Sequence, residues 1–151
     1  MSDVVLSVEV NAPAGTTWLA LTDWARQREW MLGTDVRVIE GNGRAVGTKL
    51  AAFTGLAGIG FTDTMEITTW EPPVRCVVRH LGTIVKGTGV FQVTSNGPHR
   101  STFVWAEHLS LPFGLVGRLG WPFVKPAMVL GLRQSLQKFA RFAESYSLGD
   151  R

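Results

Sequence analysis

Three ionisable side chains interrupt strand-like stretches of this sequence that are otherwise apolar on one face. Asp63, His80 and Glu107 each fall on the more apolar side of an alternating pattern. An unpaired charge is costly on a buried face, so each group should be paired, neutral or in contact with water. Together they predict a polar end to an apolar pocket, where they would orient a ligand hydroxyl or carbonyl group. In an enzyme, His80 or a carboxylate with a raised pKa would act as a general base.

The assignment of these residues to an inner face rests on the alternation of side chains along a strand. The predicted inner faces are Phe61, Asp63, Met65 and Ile67; Cys76, Val78 and His80; Val85, Gly87, Gly89, Phe91 and Val93; and Phe103, Trp105, Glu107, Leu109 and Leu111. An error of one residue would reverse a whole face. The alternative interpretation of the three polar groups is that they pair with arginine or backbone groups at the rim of a sheet.

Aromatic and sulfur-containing side chains supply the apolar part of the predicted pocket. The predicted ligand-binding set combines them with the three ionisable residues: Trp30, Phe53, Asp63, Met65, His80, Phe91, Trp105, Glu107, Trp121 and Met128. The alternative is that the large side chains simply fill the core, so that no cavity remains.

Other chemistry-bearing residues give weaker signals. The histidines and carboxylates lack a compact metal-ligand spacing, so we expect no metal, and nothing indicates a cofactor. Cys76 has no motif around it and is expected to be a buried, inert thiol rather than a nucleophile. The glycine-rich segment 55–60 lacks the Lys-Ser/Thr of a phosphate-binding loop. We expect it to be a flexible apolar lip at the cavity mouth.

Composition limits the class of protein. Of 151 residues, 45% are hydrophobic and 18% charged, which excludes a disordered chain and fits one domain over residues 1–151 with a short tail at about 147–151. The single cysteine excludes an intrachain disulfide framework. The first residues do not resemble a signal peptide. We therefore expect a cytoplasmic protein.

The segment 109–132 is apolar, but Arg118, Lys125 and its prolines argue against a transmembrane helix. Residues 111–151 contain six Lys/Arg and two Asp/Glu, a net charge of +4. We expect this charge to lie on a solvated helix face, with peripheral contact with an anionic membrane as the alternative. No nucleic-acid-binding motif accompanies it, so we expect no nucleic-acid partner.

The order of elements predicts how these side chains are positioned. A strand at Val4–Val10 precedes a helix opened by Pro13 and a second short helix, Trp24 to Met31, capped by Asp23. Six strands follow between Val36 and Leu111. The last helix begins at Pro122 or Pro126 and runs to about Ser147, with an apolar stripe formed by Met128, Leu132, Leu136, Phe139 and Ala143. This pattern predicts an α+β fold of order β-α-α-β6-α, in which a curved, seven-stranded antiparallel sheet wraps around a long C-terminal helix.

Several short motifs occur in an order that resembles one superfamily. They are Asn11-Ala12-Pro13 followed by Trp18, Asp23 and Trp30; Thr69-Trp70-Glu71-Pro72-Pro73; Val77 to Gly82; Gly87-Thr88-Gly89-Val90-Phe91; and Phe103-Val104-Trp105. They resemble the SRPBCC superfamily, also called START-like or polyketide cyclase/dehydrase and lipid-transport proteins, in a subgroup common in actinobacteria. The resemblance implies the helix-grip fold. Its members bind lipids, sterols, hormones or polyketides, act as cyclases or dehydratases, or assist other proteins, and the fold does not decide among these roles.

Three functions remain open at this level. The favoured one is binding of a small hydrophobic ligand, lipid-like or polyketide-like, between the sheet and the C-terminal helix. The second is a cyclase or dehydratase that uses Asp63, His80 or Glu107 as acid or base. The third is a membrane-docking or protein-interaction module that uses segment 111–124 and the basic helix face. We expect a monomer or a homodimer.

Overall fold

Seven antiparallel strands and a long helix make up most of the protein. The computed structural model describes residues 2–83, 85–110 and 114–146. The strands are β1 (Ser2–Val10), β2 (Thr34–Glu40), β3 (Lys49–Leu56), β4 (Ile59–Glu71), β5 (Arg75–His80), β6 (Lys86–Ser95) and β7 (Ser101–Ser110). The helices are α1 (Ala14–Leu21), a 3₁₀ helix (Trp24–Glu29) and α2 (Gly114–Glu144). The expected α+β architecture, a curved sheet with a long C-terminal helix, is confirmed.

The strands form one sheet in the order β1-β7-β6-β5-β4-β3-β2. Every neighbouring pair is antiparallel, and the pairing of Val10 with Ser101 places β1 beside the last strand. Strands β2 to β7 therefore follow each other as a meander, while β1 completes the sheet beside β7. The predicted tail at 147–151, Leu111 and the end of the helix at Ser147 lie outside the described residues.

The core lies between the concave side of the sheet and the second half of α2. Leu136, Phe139 and Ala143, three members of the predicted stripe, are buried there. Trp30 packs at its centre, with its ring centroid 4.8 Å from that of Phe139. Charged and amide side chains on the opposite face of the helix are exposed, as the pattern predicted: Arg133, Gln134, Gln137, Lys138 and Arg141.

Helix α2 begins earlier than its prolines predict. It starts at Gly114, so both Pro122 and Pro126 lie inside it. A proline removes one backbone hydrogen bond and does not always end a helix.

The C-terminal end of α2 is held by a hydrogen bond from the Asn11 N–H to Glu144 Oε2 (2.9 Å) and by one from Tyr146 Oη to Asp23 Oδ2 (2.9 Å). The side chain of Asp23 thus binds Tyr146. It does not cap the 3₁₀ helix, contrary to the prediction from the sequence.

Segment 55–60 is a tight hairpin and not the expected flexible loop. Strand β3 continues to Leu56 and β4 begins at Ile59, so only Ala57 and Gly58 form the turn. Both have positive φ angles, 55° and 80°, a property of two-residue hairpin turns. The side chains of Leu56 and Ile59 are 84% and 81% exposed.

The register aligns the ends of all seven strands along one side of the sheet, which we call the open edge although it is made of strand ends and not of an edge strand. It contains the starts of β1, β2, β4 and β6 and the ends of β3, β5 and β7. The hairpin tip at Ala57–Gly58 extends from this edge, and α2 begins just after the end of β7. The first turns of α2 are thus near the open edge, and their large apolar side chains are exposed: Leu115, Val116, Leu119 and Phe123.

Candidate functional site

A cavity of about 560 Å³ lies between the sheet and α2. Its volume is within the usual range for small-molecule sites, about 300–1,000 Å³. Inward side chains of β2 to β7 form one wall, and Trp121, Val124, Met128 and Leu132 of α2 face them. The lining is mostly apolar, so its few polar groups stand out.

Most of the predicted ligand-binding residues line this cavity. They are Asp63, Met65, His80, Phe91, Trp105, Glu107, Trp121 and Met128. Alternation along β4, β5 and β7 therefore placed the correct faces inward.

Trp30 and Phe53, which the sequence also placed in the ligand-binding set, do not line this cavity. Trp30 is fully buried in the aromatic core against Phe103 and Phe139. Phe53 is paired with Thr62, which belongs to the outward face of β4, whereas its neighbour Ala52 is paired with Asp63. Paired residues in neighbouring strands point to the same side, so Phe53 points away from the cavity.

The three ionisable residues meet in the wall of the cavity and bind one another, not arginine side chains at a rim. His80 Nδ1 lies 2.7 Å from Asp63 Oδ2, and His80 Nε2 lies 3.1 Å from Glu107 Oε2. The exposed fractions of the His80, Asp63 and Glu107 side chains are only 5%, 13% and 15%. We call these residues the Asp–His–Glu cluster.

Glycines of β6 allow His80 and Glu107 to meet. His80 is on β5 and Glu107 on β7, and these strands are separated by β6, so their backbones lie about 10 Å apart. His80 is paired with Gly87, and Glu107 with Gly89. A Cβ atom on Gly89 would lie 3.1 and 3.2 Å from the two Glu107 carboxylate oxygens. The missing side chain at position 89 therefore leaves space for the Glu107 carboxylate.

Two opposing effects set the protonation of His80. Burial alone would lower its pKa, but hydrogen bonds to Asp63 and Glu107, together with the negative charges of both carboxylates, raise the pKa of His80 from 6.5 to about 9. The ring is therefore an imidazolium at neutral pH and donates one N–H to each carboxylate. A proton of the ring can reach a ligand through a flanking carboxylate, and the carboxylates can also accept a proton from a ligand.

One further contact and one unpaired atom complete the description of the polar network. Trp105 Nε1 donates a hydrogen bond to Glu107 Oε1 at 3.0 Å, which orients that carboxylate. Asp63 Oδ1 is buried and has no hydrogen-bond partner among the described residues. A buried carboxylate oxygen without a donor is unfavourable. The cluster thus keeps an unused acceptor at the cavity.

The cluster does not have the geometry of a metal site. Asp63 and Glu107 bind opposite nitrogens of one ring, so their oxygens do not converge on a common point. Within residues 2–83, 85–110 and 114–146, no group of three His, Cys, Asp or Glu side chains could hold a metal ion.

Cys76 also lines the cavity, and burial raises its pKa to about 12, which leaves the thiol protonated and unreactive at neutral pH.

Comparison with known proteins identifies the family. Residues 1–144 match the family model described as "Polyketide cyclase / dehydrase and lipid transport". The chain belongs to this family. The resemblance carried by the short sequence motifs is thereby confirmed.

Solved structures share the fold of this polyketide cyclase/dehydrase and lipid-transport family member. An aromatase/cyclase, Zhui from Streptomyces sp. R1128, has a TM-score of 0.78 at 20% identity, covering 95% of this chain and 93% of that one. The protein TTHA0849 from Thermus thermophilus has a TM-score of 0.79 at 13% identity, covering 94% and 97%. Norcoclaurine synthase from Thalictrum flavum, solved with dopamine and hydroxybenzaldehyde, has a TM-score of 0.68 at 14% identity, covering 97% and 88%. No curated protein matches the chain by sequence.

Other residues of this family member line the cavity without having been predicted. Leu50, Ala52 and Thr54 contribute from β3, and the same alternation that identified β4 would have placed them inward. Gln27 of the 3₁₀ helix, Lys86 and Ser135 gave no comparable signal, because their positions depend on how elements pack.

None of the described helices combines the length and the hydrophobicity that crossing a bilayer requires.

Proposed function

We propose that this protein binds a small hydrophobic molecule, lipid-like or polyketide-like, in the cavity between the sheet and α2. The observation that carries the proposal is the Asp–His–Glu cluster in the wall of an otherwise apolar cavity of about 560 Å³. Transfer of apolar ligand surface out of water contributes about 25 cal/mol per Å². The cluster binds the polar end of the molecule and fixes its orientation. The family description is consistent with such a ligand.

Native mass spectrometry of the protein purified from its own host tests the proposal. We expect a co-purified hydrophobic molecule, and we expect Val78→Trp to abolish its binding because Val78 lines the cavity. Val77→Trp is the matched control, since residue 77 of the same strand faces the other side. The proposal fails if the wild-type protein carries no such molecule and also binds no added 2-naphthol.

The contacts of His80 favour catalysis as a second candidate function. In this cluster one carboxylate can remove a proton from the carbon next to the carbonyl group, while a proton of the His80 imidazolium passes through the other carboxylate to the leaving hydroxyl group. For a β-hydroxyketone these steps break one C–O and one C–H bond, form the conjugated enone and release water. This is a dehydratase reaction, and positioning of the flexible substrate would contribute much of the rate.

Turnover of an aromatic β-hydroxyketone, followed by the absorbance of the enone, tests this candidate. The rate should fall as the pH rises through about 9, where His80 loses its proton. His80→Ala should abolish the reaction. An unchanged pH–rate profile in His80→Ala would remove His80 from the mechanism.

Peripheral membrane contact is a third candidate, favoured by the open edge. Leu56 and Ile59 at the hairpin tip and Leu115, Leu119 and Phe123 of α2 are largely exposed there. Residues 108–143 contain five Lys/Arg and no Asp/Glu, so an anionic bilayer would attract this region.

Sedimentation with phosphatidylserine-containing vesicles at low and high salt tests the membrane candidate. We expect binding at low salt that weakens at high salt and in Ile59→Ser. Val46→Ser is the matched control, because Val46 is 62% exposed but belongs to the connection between β2 and β3 at the opposite edge. Absence of binding at low salt contradicts this candidate.

A further inference from the structure

The hydrogen-bond donors of the Asp–His–Glu cluster are all in use. Each nitrogen of His80 faces a carboxylate, so any proton on the ring is already donated to Asp63 or Glu107. The indole N–H of Trp105 is donated to Glu107. A ligand that reaches the cluster therefore meets acceptors, whichever protonation state the ring adopts.

The acceptors, in contrast, are in excess. Two carboxylates around one imidazolium leave a net charge of −1 in an apolar wall. Asp63 Oδ1 receives no hydrogen bond from any residue that the structure describes. A group that donates to this end of the cavity would satisfy a buried acceptor and offset the charge.

The other polar groups of the lining do not reverse the preference of the cavity for a ligand that donates hydrogen bonds. Gln27 Nε2 donates to the Leu21 carbonyl oxygen. Ser135 Oγ accepts from the Leu32 N–H and keeps its own O–H as a donor, but a single neutral hydroxyl does not compensate the burial of a ligand carboxylate. Apart from His80, Lys86 is the cationic residue among the described lining residues, but it is exposed at the open edge. A carboxylate bound by Lys86 would remain in water and would leave the cluster facing the apolar part of its ligand.

We infer that the ligand carries a hydrogen-bond donor, a hydroxyl group or a protonated amine, and that the cavity discriminates against carboxylates. This inference rests on the proposed function, because it specifies the ligand of the same cavity. It excludes free fatty acids and other anionic amphiphiles as preferred ligands. It favours phenols, alcohols and alkylamines with an apolar body.

Calorimetric titration at pH 7 with four ligands that share the same naphthalene body tests the inference: 2-naphthol, 2-naphthylmethylamine, 2-naphthoate and 2-methylnaphthalene. We expect the alcohol and the amine to bind more tightly than methylnaphthalene, and naphthoate to bind about 10- to 100-fold more weakly than naphthol. The comparison of naphthol with the amine shows whether hydrogen bonding or charge dominates.

The pattern of the four affinities distinguishes a failure of the donor requirement from a failure of the proposed function. If all four ligands bind equally, or naphthoate binds most tightly, the proposed function stands and the donor requirement is wrong. If none of the four binds and no hydrophobic molecule co-purifies with the protein, both proposals are overturned. If a hydrophobic carboxylate co-purifies, the proposed function stands and the donor requirement is wrong.

Asp63→Asn provides the matched variant, because it removes one charge and supplies an amide donor. We expect the preference for naphthol over naphthoate to fall by about tenfold or more. Glu66→Gln is the control on the same strand, since Glu66 pairs with Arg79 on the outward face. Glu107→Gln repeats the test from the other side of His80, should Asp63→Asn fail to fold. An unchanged ligand preference in both folded variants would refute the role of the cluster.

Discussion

His80 lies between two carboxylates in a wall that contains few other polar groups, and this placement links one side chain to the stability of the whole chain. Because the hydrogen bonds require a protonated ring, the folded protein holds the His80 proton more tightly than the unfolded chain does. The folded-state pKa of about 9 exceeds the ordinary value of 6.5. The stabilisation is therefore complete below pH 6.5 and is lost as the pH rises through about 9.

We predict that the free energy of unfolding falls by roughly 2–4 kcal/mol between pH of about 6 and about 10 because of this one group. Urea denaturation across this range measures the fall. His80→Gln should remove most of the pH dependence, whereas replacing the exposed His99 by Gln should preserve it. Equal slopes in His80→Gln and the wild type would show that the cluster does not hold the proton.

Gly89 tests the geometry of the cluster without a change in charge. A Cβ atom at this position would lie 3.1 and 3.2 Å from the Glu107 oxygens and 3.2 Å from Val78 Cγ2. We expect Gly89→Ala to move the carboxylate away from His80 and so to lower the pKa of the ring. An NMR titration of the imidazole measures this shift.

Gly82→Ala is the control for that experiment, because an added Cβ atom at residue 82 meets nothing within 4 Å. A folded Gly89→Ala protein whose His80 titrates as in the wild type would contradict the proposed role of the glycine.

At the scale of elements, the turn between β3 and β4 holds one residue in an unfavourable backbone conformation. Ala57 adopts a φ of 55°, a region in which a residue with a Cβ atom is disfavoured by roughly 1–2 kcal/mol. We predict that Ala57→Gly stabilises the protein by about 1 kcal/mol, as measured by urea denaturation.

Gly58→Ala is the matched opposite change. Gly58 has a φ of 80° and open space around it, so the substitution alters the backbone strain and no packing contact. It should destabilise the protein by about 1 kcal/mol. Stabilities that change in the same direction in the two variants would show that the turn is not held in this conformation.

Sequence patterns predicted the elements better than their junctions. Alternation identified the inward faces of β4 to β7, and the apolar stripe identified the second half of α2, because both signals arise from burial. The start of α2 was missed because a proline removes only one hydrogen bond, and its effect depends on the other contacts of the helix. The Ala57–Gly58 turn was missed because alanine rarely adopts a positive φ.

At the scale of the whole molecule, the meeting of Asp63, His80 and Glu107 could not be predicted from sequence. Each residue was placed on an inner face, but their contact depends on the registers of four strands. Met65 is paired with His80, and Gly89 with Glu107. A shift of two residues in either pairing would preserve every inward face but change which side chains are neighbours. Trp30 shows the related difficulty that a large apolar side chain can fill a core or line a cavity with the same local pattern.

Because the cavity is open, a residue that fills it would stabilise the folded protein but weaken the binding of a ligand. Gly131 of α2 lines the cavity, and an added Cβ atom there meets nothing within 4 Å. A larger residue would improve the helix and fill empty space, but it would compete with a ligand. The glycine is therefore unfavourable for the fold and favourable for an occupant of the cavity.

We predict that Gly131→Leu raises the free energy of unfolding by about 1–2 kcal/mol and weakens 2-naphthol binding by about tenfold or more. Urea denaturation and calorimetry on the same preparations measure both effects. Gly120→Leu is the matched control, because Gly120 is also in α2 with open space around it but is not a cavity residue. It should gain helix stability without losing affinity. If Gly131→Leu binds naphthol as the wild type does, the ligand occupies a different site, because a leucine at residue 131 takes up the space between α2 and the sheet.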